Sequence, residues 1–133
     1  MLLFFVASEI SLNAIETKRE KEQETFTAKR ADKFVVAFLV QNPIHDFSNT
    51  EIVTVVTQPN GQVLQSSDWD AGTFETKKQG VKNFTRKVKF DYTKGEQRKI
   101  IFTLENEKFQ KGTYTLQLWH QGILIGQAVK KLI

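Results

Sequence analysis

Residues 33–40 read KFVVAFLV, and this run decides the fold class. β-branched and aromatic residues dominate it, and it stops at Gln41-Asn42-Pro43, a turn signal. The same pattern recurs outward along the chain. Residues 51–58, EIVTVVTQ, form a second extended run closed by Pro59-Asn60-Gly61, where Asn60-Gly61 favours the positive φ of a tight hairpin and residues 62–66 return. Residues 82–92 alternate, with Phe84, Arg86, Val88, Phe90 and Tyr92 on one face and Thr85, Lys87 and Lys89 on the other. Ile100, Phe102 and Leu104 share a face of the next run, and Tyr114, Leu116 and Leu118 of the one after it. His120-Gln121-Gly122 then turns the chain into a last strand over 123–132, bent near Gly126. With a short strand at 73–77 the count is about seven, at the spacing of a two-sheet antiparallel sandwich.

Upstream of Asp32 the pattern reads as helical. Residues 1–7, MLLFFVA, are uninterrupted apolar, and Ile10, Leu12, Ala14 and Ile15 extend the run. As a helix, seven residues rise ~10 Å and fifteen ~22 Å, against a hydrocarbon core of ~30 Å, so this stretch is too short to span a bilayer alone. No basic residue precedes Lys18, which argues against a signal peptide. The run is expected to anchor or dock through Leu2, Leu3, Phe4, Phe5, Val6 and Ile10. Three readings stand: the end of a longer membrane helix, a helix on a partner, or a helix packed on its own domain. Residues 16–30, ETKREKEQETFTAKR, hold good helix formers without Gly or Pro and continue it as a charged stalk. Leu3, Ala7, Ile10 and Ala14 have heptad-like spacing, but Thr17, Lys21 and Glu24 follow, which does not sustain a long coiled coil. The expected organisation is a helical segment over 1–31 and a β-domain over 32–133, the latter folding alone.

Composition narrows the functional classes. The chain has 133 residues, 40% hydrophobic and 26% charged, which is one ordinary globular domain. It has no Cys, which removes disulfides, thiolate metal sites and cysteine nucleophiles. His45 and His120 both fall in expected turns, where His120 at a hairpin tip should titrate near neutrality, and neither has a partner at diagnostic spacing. No enzyme, metal site or cofactor is expected. The net charge is +4, and residues 77–99 carry nine Lys/Arg against Asp91 and Glu96. A solvated strand face explains that cluster more simply than nucleic-acid binding, because alternation puts most of the cations and aromatics on opposite faces.

The loop at 67–72, SDWDAG, offers Asp68, Trp69 and Asp70 as a sugar platform or as oxygen ligands for a cation. A turn with a partly buried Trp is the simpler reading, since the loop lacks the liganding count of a calcium site. Carboxylate pairs between Asp68 or Asp70 and Glu75 carry no weight, and Asn83-Phe84-Thr85 matches a glycosylation sequon by chance. Gly72, Gly80, Gly95 and Gly112 are scattered turn residues rather than a phosphate loop.

Residues 100–126, IIFTLENEKFQKGTYTLQLWHQGILIG, resemble the final strands of immunoglobulin-like and fibronectin type III-like sandwiches in bacterial envelope proteins. The 55–64 run, VVTQPNGQVL, is similar to their strand–PNG–strand hairpin. The layout resembles that of envelope and coiled-coil proteins of Bacteroidetes type. The resemblance implies that Phe109 plugs a corner before Gly112 and that Tyr114 is a corner tyrosine, and it carries no catalytic residues. The expectation is a non-enzymatic interaction or spacer domain in the cell envelope, meeting a protein partner, itself or a membrane through its N-terminal helix. The alternative is a ligand-binding sandwich, for carbohydrate or less readily nucleic acid, using Trp69, Asp68, Asp70, Lys87 and Lys89.

Overall fold

The described part of the segment expected to be helical is a hairpin of two strands. In the computed structural model, which describes residues 4–133, β1 spans Val6–Lys18 and β2 Lys21–Thr25. They are joined by Arg19 and Glu20 at φ 52° and 66°, and two positive-φ residues in a two-residue loop make a type I′ hairpin turn. Inward positions along β1 switch parity. Phe5 and Ala7 pack on the core, then Ile10, Leu12 and Ala14 do, because a bulge at Glu9 (φ 50°) inserts one residue between Ser8 and Ser11. The expected N-terminal helix and its charged stalk are thereby corrected, and among the described residues no α-helix is present to form a coiled coil. The charges of β2 instead guard a sheet edge, where they oppose further strand pairing.

The remaining strands are β3 (Lys33–Gln41), β4 (Phe47–Thr57), β5 (Gly72–Glu75), β6 (Val81–Phe84), β7 (Arg86–Tyr92), β8 (Gln97–Glu105), β9 (Gly112–His120) and β10 (Ile123–Leu132). Among the described residues there are ten strands and no α-helix, where about seven strands behind a helix were expected. The first sheet has the order β2-β1-β3-β8, the second β10-β9-β4-β7, and β5 pairs only with β6; every pairing is antiparallel. The long run at 82–92 divides at Thr85, whose N–H donates to the Thr54 carbonyl and whose Oγ1 accepts from the Val56 N–H. The expected return strand after Gly61 shrinks to one bridge, Thr57 with Val63.

One core lies between the two sheets. Phe34, Val36, Phe38 and Val40 of β3 meet Ile52 and Val56 of β4, Ile100 and Leu104 of β8, and Leu116 and Leu118 of β9. Each such side chain contributes roughly 1.5–3 kcal/mol on burial. The open seam between β7 and β8 is closed reciprocally: the Arg86 guanidinium lies 5.1 Å over the Phe102 ring, and that of Arg98 lies 5.0 Å over Phe90. At the opposite seam the Ile133 N–H donates to the Phe26 carbonyl at 2.7 Å, and the Ala28 N–H donates to the Ile133 carbonyl at 2.8 Å.

The Tyr114 hydroxyl accepts from the Gln110 N–H at 2.8 Å, and its buried ring packs edge-on against Phe34, which Phe109 also meets edge-on. Pro59-Asn60-Gly61 forms a three-residue loop in which only Gly61 has positive φ, at 88°.

Candidate interaction surface

The central strands β3 and β4 are apolar on both faces, a pattern that suits strands covered on both sides. On β4, Ile52 and Val56 enter the shared core while Val53 and Val55 join a second cluster with Phe84 and Trp119. The β5–β6 hairpin covers that side: Phe74 packs 5.6 Å from Trp119, and Val53 and Val55 fall to 9% and 3% exposure. The Lys77 N–H pins the hairpin by donating to the Gly122 carbonyl at 2.8 Å.

On β3, Val35, Ala37 and Leu39 alternate with the core positions, stay half-buried and belong to neither apolar cluster. Ile101, 59% exposed, lies beside Ala37 in the register, Thr103 beside Val35, and Lys99 beside Leu39. Ser11 and Asn13 of β1 flank Ala37 and Val35 on the other side. At one end of this face the Lys33 Nζ donates to Glu22 Oε1 at 2.5 Å, and that hydrogen bond raises the lysine's pKa. The face therefore has an apolar centre and a polar rim.

The structure also gathers the residues of the alternative reading. Asp68, Trp69 and Asp70, joined by Arg86, Lys87 and Lys89, line a single cleft of about 360 Å³. Ser66 Oγ accepts from the Asp68 N–H at 3.3 Å, and Asp70 ends the turn in the left-handed region at φ 54°. Trp69 is 8% exposed and belongs to the shared core, so it offers no free face for a sugar to stack on. Lys87 and Lys89 reach Glu51 Oε1 at 3.9 and 3.3 Å; such exposed pairs contribute about 0–1 kcal/mol. Among the described residues no group of three or more His, Asp or Glu is arranged to hold a metal ion.

The residues expected to anchor the chain disperse. Leu2 and Leu3 lie outside the described residues. The Phe4 carbonyl accepts from Asn42 Nδ2 at 3.1 Å, Phe5 is fully buried, Ile10 packs against the core, and Val6 is exposed. His120, expected at an exposed tip, is 0% exposed. Burial lowers its pKa from 6.5 to about 4. Its parity with Tyr114, Leu116 and Leu118 was the signal for that burial. The alternation places Arg86 on the face of Phe84, Val88, Phe90 and Tyr92 and the charge count includes Arg98, but neither the seam that the two close nor the Val35–Leu39 face is read from the sequence.

The chain belongs to the family described as Domain of unknown function (DUF8428), whose profile matches residues 8–132 and so runs from β1 into β10. No curated protein and no solved structure matches the chain.

Proposed function

We propose that this member of the DUF8428 family is a non-enzymatic interaction module that receives a protein partner on the outer face of its first sheet. The observation that carries this reading is the contrast between two strands of the same character. β4 has its second apolar face covered by the β5–β6 hairpin, whereas β3 leaves Val35, Ala37 and Leu39 beside the exposed Ile101. A non-catalytic role is supported by the burial of His120, both of whose ring nitrogens are engaged within the fold. Kinship with immunoglobulin-like and fibronectin type III-like sandwiches is supported by the order β1-β3-β8 and β10-β9-β4, which follows their A-B-E and G-F-C sheets. The hydrogen bond of Tyr114 to the backbone four residues upstream supports it as well.

A photo-crosslinking residue at Ile101 or Leu39, compared with one at Val129 on β10, tests the reading in cells that make the protein. Adducts confined to the first two positions are expected. Adducts from Val129 alone, equally from all three, or from none would overturn it.

The cleft holding Asp68, Asp70, Arg86, Lys87 and Lys89 favours a second reading, a site for a polar or anionic ligand. Retention on polysaccharide gels, or oligonucleotide binding that survives physiological salt and falls in Lys87→Glu, would support it; phosphate contacts alone are lost steeply as salt rises.

A further inference from the structure

We propose that the occupant of the first sheet's outer face is the same face of a second copy of this chain, in a two-fold, face-to-face dimer. This rests on the interaction reading above and names its partner. Along β8, Ile100, Phe102 and Leu104 are buried, so Lys99, Ile101, Thr103 and Glu105 point outward. Opposite charges thus stand six residues apart, about 20 Å along the strand, with the exposed Ile101 between them. Neither lies at ion-pair distance from another described residue, and Lys33, already paired with Glu22, stands beside Glu105 in the register.

That spacing is self-complementary. A two-fold axis between the sheets, crossing the strands at the level of Phe102, reverses the second β8 against the first. Lys99 then faces the partner subunit's Glu105, and Glu105 faces the partner subunit's Lys99. The same operation lays Ile101 over the partner subunit's Thr103 and Ala37 over the partner subunit's Val35, joining the apolar centres. Sheets stack in this way about 10 Å apart with strands within about 30° of alignment. A three-stranded face about 14 by 30 Å gives on the order of 1,000 Å² of buried surface in all, at the lower bound for a specific interface. A face of that size suits a reversible rather than a permanent dimer, to be sought from roughly 1 to 100 micromolar.

Sedimentation equilibrium of the full chain across that range tests the proposal. The weight-average mass should rise from that of one 15.3 kDa chain toward twice it. Lys99→Glu and Glu105→Lys should each raise the midpoint about tenfold or more, because each places like charges opposite one another at both ends. An equimolar mixture of those two variants should recover the association, since one then carries two anions and the other two cations. Ile101→Lys should be monomeric and Val129→Lys unchanged, with circular dichroism showing each variant folded. A chain monomeric at every concentration, a dimer indifferent to the charge changes, or a mixture that fails to recover would overturn self-docking. Crosslinks confined to this face but joining a different protein would overturn self-docking alone, whereas the loss of face-confined crosslinks removes the interaction reading as well.

Discussion

The backbone N–H of Phe5 donates to Nδ1 of His120 at 2.9 Å across 115 residues of sequence, and the two rings stack 4.5 Å apart. Because Nδ1 accepts, the neutral imidazole carries its proton on Nε2 and donates it to Thr50 Oγ1 at 2.8 Å. A second proton on Nδ1 would confront the Phe5 N–H inside the core.

Stability should accordingly fall on mild acidification. Above pH 6.5 both the folded and unfolded chains hold His120 neutral and its full contribution is present. Between 6.5 and about 4 the unfolded chain takes up a proton that the folded chain refuses. The loss approaches 1.4 kcal/mol per pH unit, roughly 3 kcal/mol in total. Urea unfolding at stepped pH should show this slope in the parent and a flatter one in His120→Gln; parallel profiles for the two proteins would exclude the assignment.

Gly112 and Gly61 separate strain from collision. Gly112 has φ 127°, and a Cβ placed there would lie 2.7 Å from Pro59 Cβ, so Gly112→Ala combines an unfavourable backbone with an overlap of two rigid groups. Gly61, at φ 88°, has open space around it. Gly112→Ala should cost about 2–4 kcal/mol and Gly61→Ala about 1 kcal/mol in chemical denaturation. Equal losses would show that Pro59 yields.

Tyr114→Phe removes one hydrogen bond and leaves the ring, and should destabilise by about 0.5–1.5 kcal/mol. Tyr114→Ala also empties the space beside Phe34 and Phe109 and should cost about 3–5 kcal/mol. Thermal melts that do not distinguish Tyr114→Ala from the parent would remove this residue from the core.

A chain shortened to begin at Ala31 should not fold. It lacks β1, which lies between β2 and β3, and it uncovers the sites filled by Phe5, Leu12 and Ala14. Broad amide resonances and no cooperative melt are the expected signs; a sharp melt near that of the full chain would show that the first sheet tolerates the loss.

β9 is legible in the sequence because its period of two is unbroken at Tyr114, Leu116 and Leu118, and β3 because β-branched and aromatic residues fill it up to the turn at Asn42-Pro43. β1 is not, because the bulge at Glu9 moves its inward side chains from odd to even numbers and so mimics helical spacing. Glu16 to Arg30 misleads for another reason: a charged edge strand and a solvated helix draw on the same residues, and a tight turn at Arg19-Glu20 carries no glycine to announce it. His120 adjoins a turn, but that turn uses only Gln121 and Gly122, at φ 52° and 77°, which leaves the histidine as the last residue of its strand. The apolar outward positions Val35, Ala37 and Leu39 are plain in KFVVAFLV. Which of β3 and β4 keeps a bare face depends on where a distant hairpin folds back, and local periodicity does not encode that.

The anchors of Phe5 and Ile133 have a mechanical consequence. Phe5 is held at His120 and Leu132 pairs with Gly112, which are the two ends of β9, so the described chain leaves the fold at opposite poles. Tension applied through those poles runs parallel to the strands. It loads the β1–β3 and β9–β10 hydrogen bonds in shear, where many must break together, instead of peeling them one at a time from an end.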